Sequence, residues 1–138
     1  MTELKEMLRR EDVRGVVRSA DGRLREFRRQ GVIDLFQLLS DESAFLQGAS
    51  MADRVVGRGA ALLMVKGGVK EVFTFVLSQP ALDVFRQAGI TVSYDTLQPN
   101  IINRMGTDIC PVEKLTADTT DADEAFRLIG NFLNGTNS

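Results

Sequence analysis

Residues 69–80 read VKEVFTFVLSQP and join a β-strand to the start of a helix. Val69 to Leu77 is rich in β-branched and aromatic residues, a composition that suits a pleated, half-buried surface. Ser78 can cap a helix, because its hydroxyl accepts from the free backbone N–H groups of the first turn. Pro80 falls in that first turn, where a proline is readily accommodated. These residues therefore predict a strand that leads directly into a helix.

The same alternation continues on both sides of this strand. Upstream, a short strand is predicted at residues 45–51 and a helix at 53–66, which the two glycines after it would end in a left-handed turn. Downstream, the helix after Leu77 ends at Gly89, and residues 90–94 form a further strand. Strands that alternate with helices favour parallel pairing.

The ends of the chain add a hairpin and more helices. Asp21-Gly22 supplies a tight turn between the segments 13–17 and 23–27, which is typical of a β-hairpin. The other predicted elements are a helix at 4–8, hairpin strands at 13–17 and 23–27, a helix at 31–41, a polar connection at 95–109, a short helix from Pro111 and a closing helix at 122–133. The hairpin makes the sheet mixed.

The sequence as a whole predicts an α/β fold. We expect a three-layer α-β-α sandwich around a five-stranded mixed sheet. The 138 residues amount to one domain. Residues 1–11 form its N-terminal helix, and residues 134–138 form a frayed tail.

The counts of histidine and cysteine exclude several classes of enzyme. The chain has no His and one Cys. Without an imidazole there is no Ser-His-Asp or Cys-His triad, and no His/Cys zinc site fits within one chain. We expect no cofactor and no metal. A single Cys cannot form an internal disulfide, which suits a reducing compartment.

Charge and hydropathy favour a cytoplasmic protein that binds neither membranes nor nucleic acids. Net charge is -2, and the longest apolar run is far shorter than the roughly 20 residues that span a bilayer. Arg23, Arg25, Arg28 and Arg29 form the densest basic patch. A nucleic-acid surface would bring a higher pI and interleaved aromatic residues. A solvated surface explains the patch better.

Cys110 is the first candidate for chemistry. It stands before Pro111, so it is expected at or just before a helix N-terminus, where backbone N–H groups stabilise a thiolate. Such a thiol can act as a nucleophile or a sulfur carrier. The alternative is that a lone cysteine is a small buried apolar residue.

The polar connection is the second candidate, because about 15 residues are long for a loop without a role. Its amides and its one cation can bind a base edge, an amide or an anion. The alternative is a structural loop that uses Asn and Asp for turns. The candidate ligand-binding residues are Asn100, Asn103, Arg104, Thr107 and Asp108.

The third candidate lies around Asp53, which is expected to open the helix at 53–66. Asp53 is either the N-cap of that helix or a carboxylate in the same pocket as Cys110. Gly57 and Gly59 would each cost that helix about 1 kcal/mol relative to Ala. Glycines at such positions indicate that another element packs closely against them.

Four segments together resemble a small prokaryotic family of unknown function that is assigned to the cytidine-deaminase-like superfamily. They are MADRVVGRGAALL at 51–63, GGVKEV at 67–72, IINRMGT at 101–107 and CPVE at 110–113. The resemblance spans residues 12–133. It implies a deaminase-like three-layer sheet, with a pocket between two helix N-termini.

The resemblance also implies that zinc chemistry is absent. Zinc-dependent deaminases carry His-x-Glu or Cys-x-Glu at one helix start and Pro-Cys-x-x-Cys at the next. The matching places here hold Ala52-Asp53 and the segment from Cys110 to Glu113, so one metal ligand remains. The lining implied for the pocket is Cys110, Asp53 and the loop 103–107. Glu113 is a further candidate ligand-binding residue.

Two functions remain open, and neither is zinc-dependent deamination. In the first, the Cys110 thiolate, with Asp53 close by, carries out covalent or sulfur-transfer chemistry on a small molecule. In the second, the chain is a non-catalytic binding module for a nucleotide-like or other anionic metabolite, which helix N-termini and Arg104 would hold. The small-molecule ligand is unidentified in both. A third possibility is an interaction protein without pocket chemistry, which uses its N-terminal basic hairpin or an exposed sheet edge. Self-association through such an edge belongs to this third possibility.

Overall fold

The computed structural model describes residues 1–10, 12–29, 31–103 and 105–135. This part of the chain forms one five-stranded mixed sheet with seven helices. The strands are β1 (Gly15–Arg18), β2 (Leu24–Phe27), β3 (Ser50–Val56), β4 (Glu71–Ser78) and β5 (Thr91–Gln98). The helices are α1 (Thr2–Leu8), α2 (Ile33–Asp41), α3 (Ser43–Leu46), α4 (Arg58–Gly67), α5 (Gln79–Ala88), α6 (Pro111–Leu115) and α7 (Ala122–Leu133).

The strand order is β2-β1-β3-β4-β5, with β1 antiparallel to both of its neighbours. Strands β3, β4 and β5 are parallel, and α4 and α5 form the two crossovers between them. Both crossovers lie on the same face of the sheet, because α4 and α5 pack against each other. The predicted hairpin and parallel unit are confirmed.

The two faces of the sheet are covered unequally. Side chains on a strand alternate between faces, and consecutive residues of β3 accordingly enter different cores. Met51 belongs to the large core, which α4 shares with α2, α3, α5 and α7. Ala52 belongs to a small core that contains Leu4 and Leu8 of α1. Helices therefore pack on both faces, but among the described residues α1 is the single helix that contributes to the small core, beside residues of β1, β3 and β4.

The region between residues 43 and 58 differs from the prediction. Phe45 and Leu46 lie in the short helix α3 instead of a strand, and β3 runs on to Val56. Asp53 therefore lies in the middle of β3, and the next helix begins at Arg58 with Gly57 as its N-cap. The cause is parallel pairing with β4, which extends along β3 to Val56.

Strand β5 is longer than predicted, since residues 95–98 continue it to Gln98 and shorten the polar connection. Most residues of β5 are exposed because it is an edge strand. Residues 95–98 are therefore largely polar, and their sequence alone did not indicate that they pair with β4. As predicted, α4 and α5 end at Gly68 and Gly89, which both adopt the left-handed backbone conformation. Most of the predicted frayed tail, residues 136–138, lies outside the described residues. Within the described part, no helix is long and apolar enough to cross a membrane.

Candidate functional site

The carboxyl ends of the three parallel strands meet at one edge of the sheet, the usual position of ligand sites in open α/β folds. A cleft of about 670 Å³ lies there, within the range of small-molecule sites. Gln79 follows β4 directly, and Gln98 ends β5. The cleft is lined by Arg58, Gln79, Pro80, Asp83, Leu97, Gln98, Pro99, Asn100 and Ala117.

Beside the cleft, the carboxylate of Glu113 lies at the N-terminus of α4 and accepts a hydrogen bond there. Glu113 is 3% exposed. Its Oε2 accepts from the backbone N–H of Arg58 at 2.6 Å, and its Oε1 accepts from that of Ile101 at 2.9 Å. A negative charge at a helix N-terminus is stabilised by the free N–H groups there. The helix start that was expected to bind an anion therefore holds a carboxylate of the chain itself.

The two glycines at the start of α4 permit this approach. A Cβ on Gly57 would lie 2.5 Å from Oε2 of Glu113. A Cβ on Gly59 would overlap Val112 and would lie 3.3 Å from Ile129. The prediction that another element packs closely on these glycines is confirmed. Only Gly59 lies inside the helix, since Gly57 precedes it.

Arg58 lines the cleft, and its side chain also binds the segment after α6. Its Nε donates to the carbonyl of Thr116 at 2.8 Å and to that of Thr119 at 3.2 Å, and its Nη2 donates to Thr119 as well. No carboxylate of the described residues lies within ion-pair distance of the guanidinium. A guanidinium has five N–H donors, so most of them remain available to a ligand.

Amide groups and one carboxylate complete the lining. Gln79 donates from Nε2 to Oδ1 of Asp83 at 3.0 Å. Among the predicted ligand-binding residues that the structure describes, Asn100 alone lines the cleft. The sequence interpretation missed Arg58, Gln79 and Gln98. Their common feature is a position within two residues of the end of a parallel strand, which correct strand ends would have revealed.

The other predicted ligand-binding residues of the loop bond to their own neighbourhood. Asn103 accepts from the backbone N–H of Thr107 at 3.1 Å and donates to its hydroxyl at 3.2 Å. Asp108 pairs with Lys114, and this hydrogen bond holds the pKa of Asp108 below its usual value. These contacts favour the structural interpretation of the loop. Arg104 lies outside the described residues.

Cys110 and Asp53 occupy different surroundings. Cys110 is half-buried at the N-cap of the five-residue α6, and its backbone N–H donates to the carbonyl of Ile101 at 2.8 Å. Asp53 lies beside Gly15 and Phe27: a Cβ on Gly15 would stand 3.5 Å from the Asp53 carboxyl carbon and 3.2 Å from the ring. No hydrogen bond of the described residues joins Cys110 to Asp53, and neither lines the cleft.

Burial dominates the acidity of Asp53. Loss of solvent raises the pKa of this half-buried carboxyl to about 7, although the backbone N–H of Arg54 donates to it at 2.8 Å. An apolar neighbour such as Phe27 offers the charged form little compensation. Asp53 is thus a carboxyl that titrates near neutral pH inside the sheet.

The arginines of the basic patch form ion pairs with neighbouring carboxylates. Each of its four arginines has a carboxylate partner, so the cations are neutralised at short range. The pairs are Arg23 with Asp21, Arg25 with Glu42, Arg28 with Asp12 and Glu26, and Arg29 with Asp34. This arrangement agrees with a solvated protein surface. In the described part of the chain, no group of three His, Cys, Asp or Glu side chains is placed to hold a metal ion.

These features define an α/β protein with a five-stranded mixed sheet and a polar cleft at its carboxyl edge. The model of a family described as a domain of unknown function, DUF1893, matches residues 3–133. The chain belongs to the DUF1893 family. A crystal structure of a DUF1893 family protein from Thermotoga maritima is similar, with a TM-score of 0.85 and 25% sequence identity. That similarity covers 95% of this chain and 88% of the other. No curated protein matches the chain.

Proposed function

We propose that this protein is a non-catalytic binding module for a small anionic metabolite of nucleotide type, held in the cleft at the carboxyl edge of the sheet. The observation that carries the proposal is Arg58. Arg58 lines the cleft, its Nη1 donates in none of the hydrogen bonds of the described residues, and its guanidinium has no carboxylate partner among them. Arginine is well suited to phosphate and carboxylate groups, since its donors form a rigid fork.

The other lining groups favour a ligand with more than an anionic end. Asp83 accepts hydrogen bonds, whereas Gln98 and Asn100 can both donate and accept. A nucleotide matches this set, because its phosphate suits the guanidinium and its base presents an amine donor together with ring-nitrogen or carbonyl acceptors. A simple inorganic anion would use Arg58 alone.

The alternative based on the Cys110 thiolate has less geometric support. It required Asp53 in the same pocket, and the two residues lie in different surroundings. Cys110 also lies outside the cleft lining. Replacement of Cys110 therefore serves as the discriminating control for the binding proposal.

We also propose that the fold is a zinc-free variant of the deaminase-like architecture. The donor set supports the absence of zinc, since the chain has no His and one Cys. The position at the start of α4 is held by Gly57-Arg58, and Glu113 faces it. None of these offers the imidazole and thiolate ligands of a deaminase zinc site. Elemental analysis of the purified protein for zinc tests this part.

The binding proposal is tested by nuclear magnetic resonance titration of the ¹⁵N-labelled protein with AMP, CMP and inorganic phosphate. We expect the nucleotides to shift the side-chain amides of Gln79, Gln98 and Asn100, and phosphate to bind more weakly. Arg58→Gln and Asn100→Ala should each weaken nucleotide binding, whereas Cys110→Ser should leave it nearly unchanged.

One further variant is the charge control, and Asn100→Ala is the second variant of the cleft lining. Arg86→Ala removes an arginine from α5 outside the cleft lining and serves as the matched charge control. Asn100→Ala covers the case in which Arg58→Gln disturbs the segment at Thr116 and Thr119. The proposal fails if no cleft resonance moves with either nucleotide. It also fails if Arg86→Ala weakens binding as much as Arg58→Gln does.

A further inference from the structure

The two edges of the sheet differ in how they are protected. Strand β2 has four residues, includes Arg25 and Glu26, and is flanked by further arginines. Short length and charge are the usual means of keeping an edge strand from pairing with another chain. Strand β5 has eight residues, TVSYDTLQ, with Asp95 as its single charge and without Lys, Arg or Pro. The β5 edge therefore lacks the usual protection.

The outward-facing backbone groups of β5 can be assigned. The N–H of Thr91 donates to the carbonyl of Lys70 at 3.3 Å, so Thr91 is directed toward β4. Backbone groups of a strand alternate in direction, and the residues after Thr91 alternate accordingly. The N–H and C=O groups directed away from β4 belong to Val92, Tyr94, Thr96 and Gln98. Within the described part of the chain, β5 is the last strand of the sheet.

We propose that a second copy of this chain pairs with the β5 edge, so that two sheets join about a two-fold axis. A two-fold axis brings the same strand of both copies together in antiparallel orientation. The unpaired backbone groups require a strand as their partner, and β5 of another copy supplies one of equal length. The β-branched and aromatic composition of β5 favours such pairing.

The position of Asp95 selects the register. Hydrogen-bonded pairs form where outward-facing residues stand opposite each other. Two such registers give the longest overlap of the strands. One places Asp95 opposite Asp95 of the second copy, where like charges repel. The other places Tyr94 on the axis and Ser93 opposite Asp95 of the second copy.

The register centred on Tyr94 uses the groups that are now exposed. Tyr94 faces its own copy across the axis, and Val92 faces Thr96 of the second copy. These pairs exchange about six backbone hydrogen bonds. Tyr94 and Leu97 are 37% and 39% exposed, so their apolar surface is available to the interface. This proposal does not rest on the proposed function, although Leu97 and Gln98 of β5 also line the cleft.

The oligomeric state is tested by sedimentation velocity over a wide range of protein concentration. We expect a dimer that dissociates on dilution. Tyr94→Lys should abolish it, because two lysines would meet on the axis, while circular dichroism stays unchanged. Leu24→Lys is the matched control, because Leu24 is an exposed apolar residue of the other edge strand. A monomer at every concentration, or a loss of the dimer in Leu24→Lys alone, overturns the proposal.

The register is tested by disulfide cross-linking in a Cys110→Ser background with oxidised glutathione as the oxidant. Residues of a hydrogen-bonded pair have Cα atoms about 5.5 Å apart, within disulfide range. Tyr94→Cys should therefore give a covalent dimer, whereas Thr91→Cys and Asp95→Cys should not. Preferential cross-linking of Asp95→Cys, or equal cross-linking of all three variants, contradicts the register proposed.

Discussion

Asp53 shows at the scale of one residue how burial changes the chemistry of a carboxyl group. Its pKa is raised from 3.8 to about 7 by loss of solvent, so the folded protein retains this proton where the unfolded chain releases it. Between about pH 4 and pH 7 the folded state therefore binds more protons, and this group makes the free energy of unfolding fall as pH rises. Above pH 7 its effect is constant.

Asp53→Asn should stabilise the protein at pH 8 and leave it nearly unchanged at pH 4. Asn keeps an oxygen that can accept from the N–H of Arg54 but carries no charge to bury. Since one pKa unit corresponds to about 1.4 kcal/mol, the gain at pH 8 has an upper limit of about 4 kcal/mol. Urea unfolding at the two pH values measures it.

The control for this prediction is Asp95→Asn, which removes a carboxylate from the exposed strand β5. That substitution should change the free energy of unfolding little at either pH. An equal gain from both variants at pH 8 would indicate a general effect of net charge. The interpretation of Asp53 would then be wrong.

At the scale of elements, the first turn of α4 packs closely against α6 and α7 at Gly59. Gly59→Ala improves the intrinsic helix propensity by up to about 1 kcal/mol. Its Cβ, however, would overlap Val112 of α6 and press on Ile129 of α7. Overpacking of this kind costs about 1–3 kcal/mol. We therefore expect Gly59→Ala to lower the free energy of unfolding.

A double-mutant cycle separates the two effects. Val112→Ala removes the methyl groups that Gly59→Ala would meet, so the double variant should be more stable than the sum of the single changes predicts. Urea unfolding of the four proteins gives the coupling free energy. Additive changes would mean that the contact between α4 and α6 does not limit position 59.

The ends of the helices and strands show which features local sequence patterns can predict. Caps and turns are local, so Ser78, Gly89 and the Asp21-Gly22 hairpin were predictable from a few adjacent residues. The end of β3 depends on pairing with β4, which lies far along the chain. An apolar run such as Phe45-Leu46 fits either a strand or a short helix. The local pattern alone could not decide between them.

The candidate site was predictable only in part for the same reason. Asn100 was identified because it stands in a polar loop, and it does line the cleft. Arg58 was missed because the predicted helix started five residues too early, which placed Arg58 in the interior of that helix instead of at its first residue. The contact of Glu113 with the start of α4 joins residues 55 positions apart. No spacing rule within a short window contains that contact.

At the scale of the whole molecule, the unequal faces of the sheet should respond differently to the same loss of volume. Leu4 of α1 and Leu63 of α4 are both fully buried, but they belong to the small and the large core respectively. Leu→Ala in a core costs about 2–5 kcal/mol, depending on how well the surroundings close the cavity. Helix α1 is short and terminal and can shift toward the sheet. Helix α4 is held by neighbours on several sides.

We therefore expect Leu63→Ala to cost about 4 kcal/mol and Leu4→Ala about 2 kcal/mol. Urea unfolding with unchanged m-values would show that both variants lose stability without a change in the surface exposed on unfolding. Equal costs would mean that α1 is held as rigidly as α4. A larger cost for Leu4→Ala would mean that the small core, despite its few residues, is the less able of the two to close a cavity.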